Sequence, residues 1–178
     1  MAYYLRLSVS ILVMLTLVMY LVCVSTDYWQ KTHYKYSSIS RHAIKATHSG
    51  IWSGCFIKGN TEYCGHIHLE KHWLKAVRAF MILGIIANMV AAIYTVLAFI
   101  KENIRFQIVG VILIINALFI LIGLAVYAAK SGLPFERTYE DGKFEWSFIV
   151  AWITWVLTIV ACVLSFLDER VEPQFQDY

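Results

Sequence analysis

Charge is scarce in this chain, and its absences are patterned. Asp, Glu, Lys and Arg make up only 15% of the 178 residues, and four stretches contain none: 7–24, 79–100, 106–129 and 148–167. A hydrocarbon core of ~30 Å takes about 20 helical residues to cross. Each stretch is therefore expected to be one transmembrane helix, and mean hydropathy is +0.63. A membrane β-barrel would instead show alternating segments of about 10 residues. The first run is longer than the apolar part of a secretory signal, which spans roughly 7–15 residues. Only Arg6 precedes it, so a retained helix is expected.

Other absences narrow the function. There is no G-x-S-x-G, H-E-x-x-H or P-loop, and no carboxylates are paired within the apolar runs. Nothing points to an enzyme or to a cofactor. A net charge of +3 gives no nucleic-acid footprint. No N-x-Ser/Thr sequon exists to report topology. The acidic tail, 168–178, lacks the hydrophobic last residue that a PDZ groove takes.

The expected organisation is a single unit over 1–178, with helices at about 7–26, 79–100, 106–129 and 146–167. Residues 27–78 form a long first loop, 101–105 a tight turn, and 130–145 a second loop on the same side as the first. Four spans put both termini with the tight turn. Lys and Arg number four on that side (Arg6, Lys101, Arg105, Arg170) and eleven on the other, so the positive-inside rule would place the long loop in the cytoplasm. Two cysteines in that loop argue the opposite. Disulfides persist in oxidising compartments, and the rule weakens for long loops. The expected topology therefore has exoplasmic loops and cytoplasmic termini.

Gly59-Asn60 is a two-residue hairpin signal. Pairing outward from it sets Lys58 against Thr61, Ile57 against Glu62, Phe56 against Tyr63 and Cys55 against Cys64. Cys55 and Cys64 then form a close, non-hydrogen-bonded pair, with Cα atoms ~4.5 Å apart, within reach of a disulfide. Upstream, residues 28–36 would set Tyr28, Gln30, Thr32, Tyr34 and Tyr36 on one face of a strand and Trp29, Lys31, His33 and Lys35 on the other. Residues 37–48 read as looser and partner-facing. Trp29 and Trp52 are expected to pack as the loop's own core, with an interfacial position as the alternative.

The spacing Trp29…Gly50-Ile51-Trp52-x-x-Cys55…Cys64 resembles the W…GLW…C…C signature of the tetraspan superfamily of claudins, peripheral myelin protein, epithelial membrane proteins and lens fibre intrinsic protein. Ile51 stands where Leu is usual. Arg78, before Ala79, is similar to that superfamily's Arg at the start of helix 2. Glu145-Trp146-Ser147-Phe148…Trp152 resembles the lens fibre and epithelial membrane branch more than the claudins. This resemblance implies an all-α transmembrane four-helix bundle, left-handed, capped by a small antiparallel extracellular β-sheet. In it Trp29, Gly50, Ile51, Trp52, Arg78 and the disulfide are scaffold.

Several constellations have competing readings. His66, His68 and His72 alternate as metal ligands on a strand can, or are simply solvated. In helix 4, Ala151, Thr154, Thr158, Ala161 and Ser165 form a small-residue stripe suited to close helix packing. Asn88 and Asn116 lie mid-membrane and need polar partners there. Cys162 is either a palmitoylation site or an ordinary buried cysteine. Phe135 and Tyr139 of the second loop either contact a partner or fold back onto the sheet.

Functionally, three readings stand. One is a plasma-membrane protein in adhesion, junctions or membrane organisation, lying in the lipid bilayer and contacting its own copies or another membrane protein. A second is an auxiliary subunit of a channel or receptor. The third is a paracellular barrier or pore, in which a basic loop would favour anions.

Overall fold

A computed structural model describes residues 2–34, 44–58, 61–66, 72–100, 105–131 and 139–171. Four helices carry the chain: α1 (Ala2–Ser25), α2 (His72–Ile100), α3 (Gln107–Ser131) and α4 (Trp146–Val171). All four are long and apolar enough to cross a membrane. Each packs against two neighbours, in the cyclic order α1, α2, α3, α4. Large apolar side chains such as Ile11, Ile86, Leu118 and Val156 are exposed on the outside. That is the arrangement expected of a bundle solvated by lipid rather than water.

Two helices begin earlier than charge-free runs suggest. α1 starts at Ala2 rather than near residue 7, and α2 at His72 rather than 79. Lys75 and Arg78 are thus helical residues at the sheet end of α2. Charge marks where a helix leaves hydrocarbon; it does not stop the backbone hydrogen-bond ladder, which needs only compatible φ and ψ.

Five strands form one antiparallel sheet: β1 (Gln30–Tyr34), β2 (Ile44–Ser49), β3 (Ser53–Lys58), β4 (Thr61–His66) and β5 (Tyr139–Phe144), in the order β4-β3-β2-β1-β5. The β3–β4 register pairs Lys58 with Thr61, Ile57 with Glu62, Phe56 with Tyr63 and Cys55 with Cys64. The turn residues 59 and 60 lie outside the described set. Cys55 and Cys64 are joined by a disulfide with Cα atoms 4.1 Å apart.

The looser reading of residues 37–48 needs correction. Ile44–Ser49 is the central strand, hydrogen-bonded to β1 on one side and β3 on the other. Its Ala, Thr, His and Ser residues give little apolar alternation, so the signal that marks half-buried strands was missing. Here the neighbours recruit the strand, a common override of weak β-propensity. Residues 37–43 lie outside the described set.

Sheet and bundle share one core. Trp29 and Ile51 are fully buried with Tyr20, Cys23, Val77, Met81, Ile120, Leu124, Tyr127, Phe148 and Ala151. A second cluster around Val13, Ala91, Val109, Leu113 and Ala161 fills the other half of the bundle.

Candidate functional site

The Trp29 and Gly50-Ile51-Trp52 positions converge at the junction between sheet and bundle. Trp29 leaves α1 and drops into the bundle mouth, where its ring meets Tyr127 edge-on at 4.9 Å and Phe148 at 5.9 Å. Its indole Nε1–H donates to the Cys23 carbonyl at 2.6 Å. That bond satisfies a carbonyl freed at the end of α1 and the one polar atom of a buried indole. The Trp29 backbone is tied on both sides as well. Its N–H donates to Ser49 O (3.1 Å), and its carbonyl accepts from Glu145 N (3.0 Å).

Gly50 is explained by what it touches. A Cβ there would lie 2.7 Å from Asp27 Cα and would also meet the Thr26 carbonyl. Both are backbone atoms with no rotamer to yield. The β2–β3 connection therefore crosses directly over the exit of α1, and only glycine permits the approach. Ser53 reinforces the crossing by donating to Asp27 Oδ1 at 2.5 Å. Ile51 follows into the core, and Leu at this position is a γ-branched alternative of similar volume.

Arg78 closes the site from α2. Its Nε–H donates to the Ile51 carbonyl at 2.7 Å, and its guanidinium lies 5.3 Å from the Trp52 ring centroid. Arg is suited to hold a carbonyl and an aromatic face together because its planar fork does both. Trp52 is half-buried here. Trp29, Gly50, Ile51, Trp52 and Arg78 thus form one bracket that seats the sheet on α1, α2 and α3.

Outside the bracket, the sheet splits into a held part and a free part. β5 pairs with β1, with Tyr139 opposite Tyr34 and Phe144 opposite Gln30, so the second loop folds back onto the main sheet from residue 139. Phe135 lies outside the described residues. At the other edge, all six residues of β4 are exposed. Among the described residues, no strand pairs with its outer side.

Among the described residues, His66 and His72 belong to no group of metal-ligating side chains. His66 ends β4 and His72 begins α2, both exposed, and His68 lies outside the described set. His48, Cys55 and Glu62 do approach one another, but the Cys55 sulfur is spent in the disulfide. What remains is a His48 Nε2–Glu62 Oε1 contact of 3.2 Å, with the His48 ring stacked on Tyr28 at 4.7 Å. Spacing offered no signal for this group, because its members come from three strands and the α1–β1 connection.

Within the bundle, Ala151, Thr154, Thr158, Ala161 and Ser165 are all fully buried. Cys162 is buried too, its thiol directed at Gly110 O (3.6 Å). One pair escaped sequence reasoning. Arg6 Nε–H donates to Asp168 Oδ2 at 2.8 Å, joining the start of α1 to the end of α4. No periodic signal links residues so far apart in the chain. An acid placed just past the apolar run was the only hint.

Comparison with known proteins accords with this geometry. Rat (Rattus norvegicus) lens fiber membrane intrinsic protein is 28% identical over 159 residues, 86% of this chain and 85% of that protein. Rabbit (Oryctolagus cuniculus) epithelial membrane protein 1 is 32% identical over 120 residues, 65% and 72% of the two chains. The human (Homo sapiens) voltage-dependent calcium channel gamma-5 subunit is 27% identical over 179 positions, 81% and 62%. The family model described as PMP-22/EMP/MP20/Claudin matches residues 3–165. With four apolar helices, the disulfide-linked sheet and that match, the chain is a multi-pass membrane protein that belongs to the PMP-22/EMP/MP20/Claudin family.

Proposed function

We propose that this protein organises contacts between membrane proteins at the cell surface, using its disulfide-linked exoplasmic sheet as the contact element. The observation that carries this reading is the β4 edge. An exposed edge strand offers unpaired N–H and C=O groups to a second strand, and soluble proteins usually blunt such edges with Lys, Pro or a covering element. Thr61–His66 contains neither Lys nor Pro. It is also cross-linked to β3, so an incoming strand meets an ordered template rather than a floppy one.

In this reading the bracket residues and the disulfide are scaffold, and partner choice lies along β4 and the adjacent strands. The partner is a second copy of this chain or another membrane protein. With exoplasmic loops and cytoplasmic termini, the contact forms in the same or the apposed membrane, at cell junctions or elsewhere in the plasma membrane.

Glu62→Pro tests the edge directly. In the β3–β4 register Glu62 belongs to a non-hydrogen-bonded pair, so its N–H points outward and the ladder to β3 is spared. Cells expressing the variant should display it at the surface but lose crosslinks to copies or partners that wild type gives. Undiminished crosslinking with normal surface display would reject the edge as the contact.

The calcium-channel gamma-5 relative supports a second reading, in which the chain is an auxiliary subunit that docks on a channel or receptor. Proximity labelling in a native membrane separates the two, recovering a pore-forming subunit in one case and adhesion or scaffold proteins in the other. A paracellular barrier would instead raise transepithelial resistance on expression.

A further inference from the structure

The bundle holds a polar layer that none of its other features explains. α1 and α4 run antiparallel in a register set at one end by Arg6 and Asp168 and at the other by Thr26 and Ser147, whose hydroxyls are 2.7 Å apart. Counting inward equally from Arg6 and Asp168 arrives at Thr16 and Thr158. On the neighbouring seam, Met81 of α2 lies where a Cβ on Gly123 of α3 would touch it. Two turns further along each helix on the same face stand Asn88 and Asn116. Asn88 Nδ2–H donates to Thr16 Oγ1 at 3.3 Å, which ties the two seams to one level. Trp155 Nε1–H of α4, donating to the Ala117 carbonyl at 3.1 Å, sets α3 against α4 at the same height. Thr16, Asn88, Asn116 and Thr158 are all fully buried. Each helix thus contributes one polar side chain to a single layer near the bundle's middle.

The hydroxyls in this layer are occupied. Thr16 donates to Val13 O at 2.9 Å and Thr158 to Thr154 O at 2.8 Å. The amides are not. Asn88 Oδ1 and both Asn116 Oδ1 and Nδ2 are buried with no hydrogen-bond partner among the described residues. Exchanging the oxygen and nitrogen of either amide does not cure this, since Asn116 is unmatched at both ends and Asn88 keeps one atom free. Buried polar atoms are almost always paired, because each orphan costs on the order of 1–3 kcal/mol. The cost has no relief in hydrocarbon, where lipid offers no donor or acceptor.

We propose that Asn88 and Asn116 form a binding site for an internal water molecule at the centre of the bundle. Water matches the three orphans in number and sign. Its two O–H groups donate to Asn88 Oδ1 and Asn116 Oδ1, and its oxygen accepts from Asn116 Nδ2–H. Two to four polar partners are what a stable internal water needs. Bound there, it links α3 to the Thr16–Asn88 pair of α1 and α2. It also rewards only the rotational setting of the helices that brings both amides inward, a selectivity that an apolar seam lacks.

The test uses the full chain in lipid bilayers with labelled asparagine, leucine and isoleucine; the sequence has four asparagines (Asn60, Asn88, Asn103 and Asn116). Solid-state NMR reads magnetisation passing from water to each carboxamide. The Asn116 side chain should receive it at short mixing times, while Leu113 and Ile120 on the same helix receive none. Asn116→Leu should abolish the transfer at Asn88. If that variant does not fold, the wild-type spectrum decides alone. A direct contact between the Asn88 and Asn116 amides with no transfer from water would overturn the proposal. So would transfer that reaches Leu113 and Ile120 equally, which would mean a continuous aqueous path instead of one site.

Discussion

Arg6 and Asp168 allow the physics of this bundle to be tested with two substitutions. Asp168 is fully buried, its Oδ2 held by Arg6 Nε–H at 2.8 Å and its Oδ1 buried without a hydrogen-bond partner among the described residues. The Arg6 side chain keeps a fifth of its surface exposed, and its guanidinium also lies 5.8 Å from the Phe106 ring centroid. The two partners are therefore unequal. Arg6→Ala strands a carboxylate on a short side chain that cannot reach water. Breaking a buried pair in this way costs about 3–5 kcal/mol. Asp168→Ala strands a long cation that can slide its head outward along the helix end, as arginines at membrane boundaries do. That loss should be smaller, about 1.5–3 kcal/mol, the worth of a charge-assisted hydrogen bond. The double variant removes both the attraction and the desolvation penalty, and should lie within about 1 kcal/mol of wild type. Reversible unfolding in mixed micelles, run as a double-mutant cycle, measures all four species. Equal losses from the two single variants would refute the burial argument. A double variant equal to the sum of the singles would refute the pairing.

Three further outcomes follow from the sheet–bundle junction. Gly50→Ala should destabilise by roughly 1–3 kcal/mol through overpacking against backbone, and Gly65→Ala, where a Cβ meets nothing within 4 Å, should not; comparing their unfolding midpoints isolates the close approach. Trp29→Phe keeps an aromatic ring but leaves the Cys23 carbonyl with only the longer Thr26 hydroxyl bond (3.2 Å) and opens a gap, so a loss of about 2–4 kcal/mol is expected, with weakened protection of β1 amides in hydrogen exchange. Cys55→Ala removes a cross-link closing a short loop, worth about 2–3 kcal/mol in chain entropy, and should leave the protein retained inside the cell; surface delivery at the wild-type level would contradict a structural role for the Cys55–Cys64 bond.

Much of this architecture was legible in one dimension. Four charge-free runs of bilayer length dictated four helices, since hydrocarbon admits only segments that satisfy their own backbone. The Gly59-Asn60 signal and the cysteine spacing dictated the β3–β4 register, because a two-residue turn leaves one pairing available. These are local constraints, carried by neighbouring residues, and sequence records such constraints well. Helix starts were read less well, since charge marks the membrane boundary rather than the end of a helix.

Contacts between distant residues were left to the tertiary structure. β2 is a strand because β1 and β3 flank it, not because Ile44–Ser49 alternates. Gly50 is needed because the chain there crosses the exit of α1, a meeting that no spacing announces. Arg6 finds Asp168, and Asn88 finds Thr16, only after the helices are placed antiparallel in a particular register. That register comes from close fits such as Met81 against Gly123, whose energy depends on shape in three dimensions. Sequence therefore determined which segments span and which pair locally. Packing alone decided which polar groups meet inside, because burial turns a weak preference for a partner into a requirement.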